Sequence, residues 1–183
     1  MTKLRQIPIP LLQHIVYLCS MASHLKNLSD FSHTTIPNGS AFNIAIIVAE
    51  WNAKITDALY QGAYNTLIKH GLKEDQIISM PVPGTFELSG AADIMLNKHT
   101  DLDAVICLGC VIQGETKHFD FICDAVANGI TNVSIKYSKP VIFGVLTTND
   151  EQQAIDRAGG KHGNKGDEAA ITALKMAHFS ATI

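Results

Sequence analysis

The chain has 183 residues, 46% of them hydrophobic and 17% charged, with a formal net charge of -3 and a mean hydropathy of +0.13. That length fits one domain able to bury its own core without staples, and so apolar and charge-poor a composition points to surface hidden in a homo-oligomer. No cluster of lysines or arginines offers a phosphate backbone a footprint, which argues against a nucleic-acid partner.

The first twenty residues, MTKLRQIPIPLLQHIVYLCS, pair two basic residues with an apolar patch in the manner of a secretory signal. Pro8, Pro10, Gln13 and His14 interrupt that patch, and no stretch reaches membrane-spanning length, so no membrane association is expected; a weak signal peptide, a floppy tail and an upstream start codon stay open as readings of this stretch. Residues 21–40 are polar, with Pro37, Asn38 and Gly39 as turn formers, and read as an exposed arm. Residues 1–40 are thus an extension and arm, and 41–183 the folded domain.

Within the domain, strands and helices alternate. Residues 42–49 (FNIAIIVA) predict a buried strand, and residues 55–70 a helix that stops at Gly71 in the C-cap position. A second strand over 77–82 leads through the turn PVPGTFE into a helix reaching Lys98. A third strand, 103–109, is followed by the polar loop around GETKH and a helix over 119–133. The fourth strand, 140–146, precedes a short helix at 151–158, a glycine-rich loop GGKHGNKG, and a last helix over 167–179. Near-continuous apolar strands, each followed by a helix, imply a four-stranded parallel sheet covered on both faces: an α/β fold, a three-layer α/β/α sandwich with an N-terminal arm.

In such sheets, ligands collect outside the carboxyl ends of the strands. After the first strand stands Glu50-Trp51-Asn52, carrying the chain's single tryptophan. Trp51 is either an anchor packed under a loop or a plane on which a heteroaromatic ring stacks. After the third strand, Gly114, Glu115 and Thr116 offer a turn, backbone amides and a hydroxyl, the makings of a phosphate site or of an ordinary helix cap. His118 is a surface histidine or a proton shuttle, since imidazole gives and takes a proton near neutral pH. Arg157, Lys161 and Lys165, around GGKHGNKG, are either solvated or placed to hold an anionic group. No GxGxxG follows the first strand and no phosphate-binding GxxxxGK loop occurs, so the usual nucleotide cradles are lacking.

Cys19, Cys107, Cys110 and Cys123 fit a reducing cytoplasm, most of them lying in or beside apolar runs. Cys107 and Cys110 form a CxxC near His118 and Cys123, which raises a zinc site. Residues three apart on a strand face opposite ways, however, so both sulfurs reach one metal only if the strand breaks at Gly109; no metal is expected.

Five motifs in order carry a resemblance: Trp51-Asn52, VPGTFEL at 82–88, LGCVIQGETKHFDFI at 108–122, PVIFGVLTT at 140–148 and QAIDRAGGKHGNKG at 153–166. From about residue 26 to 179 the chain resembles the lumazine synthases of riboflavin biosynthesis. The resemblance implies a flavodoxin-like fold and the condensation of 5-amino-6-(D-ribitylamino)uracil with 3,4-dihydroxy-2-butanone 4-phosphate, with no cofactor or metal. It places the stacking residue at Trp51 and proton transfer at His118. Phosphate binding falls on Arg157, Glu115 and Thr116, with Lys165 also lining the site. The ribityl turn falls on Gly84, Thr85, Phe86 and Glu87. Cys110, Val111, Ile112 and Gly114 are further substrate contacts, and Phe143 comes from a neighbouring subunit.

Glu50 and Gln113 stand where many members carry arginine, and Cys110 replaces a common threonine. The resemblance further implies a homo-pentamer, with GGKHGNKG uninterrupted as in the icosahedral sixty-subunit members, and association with riboflavin synthase. MASHLKNLSD looks like the start of related chains, which makes Met21 the expected initiator. Two rival readings are a non-catalytic flavin-binding or shell-forming member, expected to lack His118 or Arg157, and an unrelated flavodoxin-like binding module, which leaves GGKHGNKG unexplained.

Overall fold

The structure, a computed structural model, describes residues 27–183. The expectations for residues 1–20, for Cys19 and for Met21 as initiator lie outside the described residues.

The domain opens with β1 (Ile44–Ala49), α1 (Ala53–Lys69) and β2 (Ile77–Val82), then a 3-10 turn over Thr85–Glu87 that runs into α2 (Leu88–Lys98). It continues with β3 (Ala104–Ile112), α3 (His118–Tyr137), β4 (Val141–Thr148) and α4 (Glu151–Arg157). A small hairpin, β5 (Ala158–Gly160) and β6 (Gly163–Asn164), precedes the last helix, α5 (Lys165–Thr182). β1 to β4 form one parallel sheet in the order β2-β1-β3-β4, so the α/β fold with a central parallel sheet is as expected. No helix among the described residues is long and apolar enough to cross a membrane.

The alternation of side chains along β1 builds both cores at once. Ile44 and Ile46 face α1, α4 and α5, where Leu59, Leu67, Ala154 and Leu174 are buried. Ala45 and Ile47 face α2 and α3, against Leu88, Leu96, Val126 and Ile130. Each fully buried leucine or isoleucine contributes roughly 1.5–3 kcal/mol. α5 is alanine-rich on its inner face, with Ala169, Ala170, Ala173 and Ala177 buried, and these short side chains let it lie close against α1 and β4. α1 ends at Lys69 with His70 as its C-cap, and Gly71 follows in the left-handed region at φ 102°.

Three readings of the sequence need correction. β3 does not stop at Gly109 but runs on to Ile112, because Gly109 is in the strand to make room: a Cβ there would meet Thr85 Oγ1 at 2.8 Å and Leu88 Cδ1 at 3.0 Å. The glycine-rich stretch is not a plain loop, since it holds the β5–β6 hairpin. The arm is not wholly exposed either: Phe31 and Ile36 pack on the core beneath α1 and α5, and Gly39 is buried.

Continuity of β3 also decides the CxxC. Cys107 lies in the α2–α3 core and Cys110 in the α1–α5 core, so the two thiols face opposite sides of the sheet. Burial pushes Cys107 up to about 12 and Cys110 up to about 11, which leaves a thiolate fraction on the order of one in a thousand or less at pH 8. Cys123 is only half-buried, its thiol raised by partial burial and then by Asp120 and Asp124. Native alkylation with iodoacetamide at pH 8, read by peptide mass spectrometry, should therefore leave Cys107 and Cys110 unmodified while Cys123 reacts slowly. Labelling of either buried thiol as fast as Cys123 would mean that β3 opens in the native protein.

Candidate active site

From β1 the chain crosses to β2 on one side, whereas β3 and β4 lie on the other, so the connections leave β1 and β3 in opposite directions. The loops at their carboxyl ends diverge and leave a crevice. It has a volume of about 770 Å³ and is lined from three strand ends and one helix: Trp51 and Asn52 after β1, Gly84 to Glu87 after β2, Cys110 to Ile112 closing β3, and His118, Phe121 and Ile122 on the first turns of α3.

One carbonyl ties these strand ends together. The backbone oxygen of Cys110 accepts from Asn52 Nδ2 at 3.0 Å and from the buried Thr85 Oγ1 at 3.4 Å. Asn52 sits at φ 63°, a left-handed conformation that asparagine tolerates better than most residues. It is the N-cap residue of α1, its carbonyl accepting from Ile55 N and Thr56 N, but its side chain makes no capping bond and bridges β1 to β3 instead. The chain before it is pinned by backbone bonds from Glu50 N to Val82 O at 2.8 Å and from Trp51 N to Pro83 O at 3.2 Å.

On this fixed backbone Trp51 is 72% exposed, so within one chain it is not an anchor packed under a loop. Phe86 and Phe121, 55% and 72% exposed, border the same crevice. A patch of three exposed aromatics is open to a ligand or a neighbour. Sequence reading did not pick out Phe121 and Ile122, although their spacing from His118, three and four residues on, puts all three on one helix face. Asn52 was legible as half of a motif, but not its bond across the sheet.

The loop between β3 and α3 holds Gly114, Glu115 and Thr116, all exposed, between lining residues Ile112 and His118. Nothing lies within 4 Å of the point a Cβ on Gly114 would occupy, so the loop's outer side is open. Thr116 is not the N-cap, which is Lys117; its Oγ1 accepts from the His118 amide at 3.4 Å. His118 is itself exposed at the helix start. Lys117 and Asp120, a pair at 3.6 Å, flank it on the solvent side.

The remaining candidates are elsewhere. Arg157 ends α4, half-buried, with Nη1 donating to Gln153 O at 3.1 Å. Lys165 opens α5 and pairs with Glu168 at 2.7 Å, and Lys161 is exposed in the hairpin turn. These cations belong to the α1–α5 side, where Asn164 Nδ2 donates to Ala58 O at 2.9 Å. Phe143 lies on the edge strand β4, 36% exposed, in register with Cys107 and so on the α2–α3 face. None of Phe143, Arg157 and Lys165 lines the crevice. The chain therefore carries two separate groups of candidate residues, an aromatic crevice with a histidine and a cationic hairpin. Among the described residues, no group of three or more His, Cys, Asp or Glu side chains is placed to hold a metal ion.

Residues 41–181 match the profile of a family described as 6,7-dimethyl-8-ribityllumazine synthase. The chain is 64% identical over 156 residues to a 6,7-dimethyl-8-ribityllumazine synthase of Cytophaga hutchinsonii, an alignment covering 85% of this chain and 97% of that one. It is 53% identical over 161 residues to that of Parabacteroides distasonis, covering 88% and 100%, and 54% identical over 159 residues to that of Flavobacterium johnsoniae, covering 87% and 83%.

Proposed function

The chain belongs to the 6,7-dimethyl-8-ribityllumazine synthase family, and on that premise we propose that each active site is made from the crevice of one subunit and the cationic hairpin of the next. The reaction itself is the condensation of 5-amino-6-(D-ribitylamino)uracil with 3,4-dihydroxy-2-butanone 4-phosphate, which makes the protein a transferase of riboflavin biosynthesis. The family works on small-molecule substrates and as an oligomer. The observation that carries the shared site is the separation just described: Trp51 and His118 meet in one crevice, while Arg157 and Lys165 gather on the α1–α5 side of the same chain.

In this reading the pyrimidine stacks on Trp51, and backbone groups of Cys110, Val111 and Ile112 read its polar edge. The ribityl chain runs along Gly84, Thr85, Phe86 and Glu87. Arg157 of the adjoining subunit, with Glu115, Thr116 and the amides after Gly114, holds the phosphate that later leaves; Lys165 and Phe143 close the site from that side. The amine nucleophile belongs to the substrate, so no lysine has to form a Schiff base. The main catalytic contribution is holding two reactants in line, and His118 moves protons during imine formation, phosphate elimination and ring closure.

Head-to-tail sharing of one interface closes into a ring, here a pentamer, and the uninterrupted GGKHGNKG favours further assembly into a sixty-subunit shell that associates with riboflavin synthase. Residues 41–183 are the catalytic domain, residues 1–40 an extension and arm, and the cytoplasm the site of action. Incubation with both substrates, followed by absorbance of the lumazine, tests the activity; native mass spectrometry tests the ring. A monomer that turns over at full rate would overturn the shared site.

A further inference from the structure

The hairpin between Arg157 and Lys165 is too short to hold itself. β5 and β6 contribute three and two residues, and an isolated ladder of that size is not stable in water. Something else must fix it. Asn164 does part of this: its side chain caps α5 by accepting from Gly166 N at 2.8 Å and reaches α1 through Ala58 O. β5 also packs on α1 and α4, with Ala158 against the core, and a further part comes from the amino-terminal arm.

Residues 27–30 form a tight turn in which Ser29 N donates to Asn27 Oδ1 at 2.8 Å and Asp30 N to Asn27 O at 3.1 Å. This turn lies across β6. Leu28 N donates to His162 O at 2.7 Å, and Asn164 N donates to Ser29 Oγ at 2.9 Å, a contact between residues 135 apart in sequence. Between these two bonds sits Gly163, at φ 82°. A Cβ on Gly163 would strike Asn27 Oδ1 and come within 2.8 and 2.9 Å of the backbone nitrogens of Ser29 and Leu28, so the turn docks only because no side chain is there. The residue after Asn164 is Lys165, and His162 N in turn donates to Asp156 O at 2.7 Å, one residue before Arg157.

We infer that residues 27–29 are a positioning strap for the phosphate side of the active site, with Ser29 as the residue through which the amino-terminal arm holds the hairpin that joins Arg157, at the end of α4, to Lys165, at the start of α5, in binding geometry. The inference rests on the phosphate reading given above for Arg157 and Lys165. Without the strap, the hairpin pays its ordering entropy each time the phosphorylated substrate binds, whereas the crevice residues are fixed by β1, β2 and β3 and do not feel the loss.

The test uses the full-length enzyme. Ser29→Ala should raise KM for 3,4-dihydroxy-2-butanone 4-phosphate about 2-fold to 10-fold, the scale of one lost hydrogen bond, with KM for the pyrimidine and kcat at saturation unchanged. It should weaken competitive inhibition by inorganic phosphate in parallel and speed hydrogen exchange at the Asn164 amide. Ser29→Thr, which keeps the hydroxyl, should restore all three. Removing residues 1–20 should change none of them, and removing 1–29 should reproduce the alanine effect or exceed it. An unchanged KM for the phosphorylated substrate in Ser29→Ala, or a loss shared by both substrates, would overturn the strap. Arg157→Ala separates the two failures: if it raises that KM while Ser29→Ala does not, the strap alone is wrong; if it does not, the phosphate reading falls and takes the strap with it.

Discussion

Co-expression of a His118→Ala chain with an Arg157→Ala chain in equal amounts is expected to restore about a quarter of wild-type activity, because random assembly joins two unmutated faces at about one interface in four. Alone, His118→Ala should turn over roughly 10-fold to 100-fold more slowly; this is modest for a proton-transfer residue, since alignment of the two substrates already supplies much of the rate. Arg157→Ala should lose about 10-fold to 100-fold in kcat/KM for the phosphorylated substrate, the scale of charge-assisted hydrogen bonds to an anion. The chains must be made together, and mixed rings verified by mass spectrometry. Mixed rings showing only the average of the two mutant rates would place the whole site within one chain, contrary to the separation of the crevice from the cationic hairpin.

Replacing Trp51 by alanine should cost roughly 1 to 3 kcal/mol of pyrimidine binding, as for a base losing an aromatic platform, and Trp51→Phe should be tolerated. The exposure of Trp51 makes this a clean measurement: its ring supports no core, so alanine leaves no cavity and the melting temperature should barely move. The expected result is a raised KM for the pyrimidine with that for the phosphorylated substrate unchanged. A loss of thermal stability with unchanged Michaelis constants would return Trp51 to a structural role.

What was legible in the sequence, and what was not, follows from the range of the interactions concerned. β2 could be bounded to the residue, because its apolar run is flanked by polar residues and by a Pro-Gly turn, both local signals. The end of β3 could not: Gly109 reads as a breaker, and the reason it sits inside a strand is the approach of Thr85 and Leu88, far away in sequence. The same holds within the site. Trp51 and His118 stand out by type and by position at strand ends, whereas the 84–87 turn entered only through the family resemblance. Phe121 and Ile122 were hidden because the helix starts at His118, one residue earlier than apolar periodicity suggests, and so turns its first face into the crevice. Asn52 and Ser29 matter through bonds spanning 58 and 135 residues, which no local pattern carries.

The bond from Asn52 to Cys110 also has a consequence in time. A chain made from its amino end completes β1, α1 and β2 well before β3 exists, so β1 first gains a partner on one side only. Until residues 104–112 arrive, Ile44, Ile46 and Ile47, which end fully buried, lack half their cover, and the open edge of β1 is a pairing hazard between nascent chains. Loop closure over so long a separation is slow, and it joins the two strand ends that frame the crevice in the same event. A substrate therefore finds nothing to bind in the half-made domain. It cannot template the early fold; bound in the crevice as proposed, it would hold β1 and β3 together and slow their parting only once the sheet has closed.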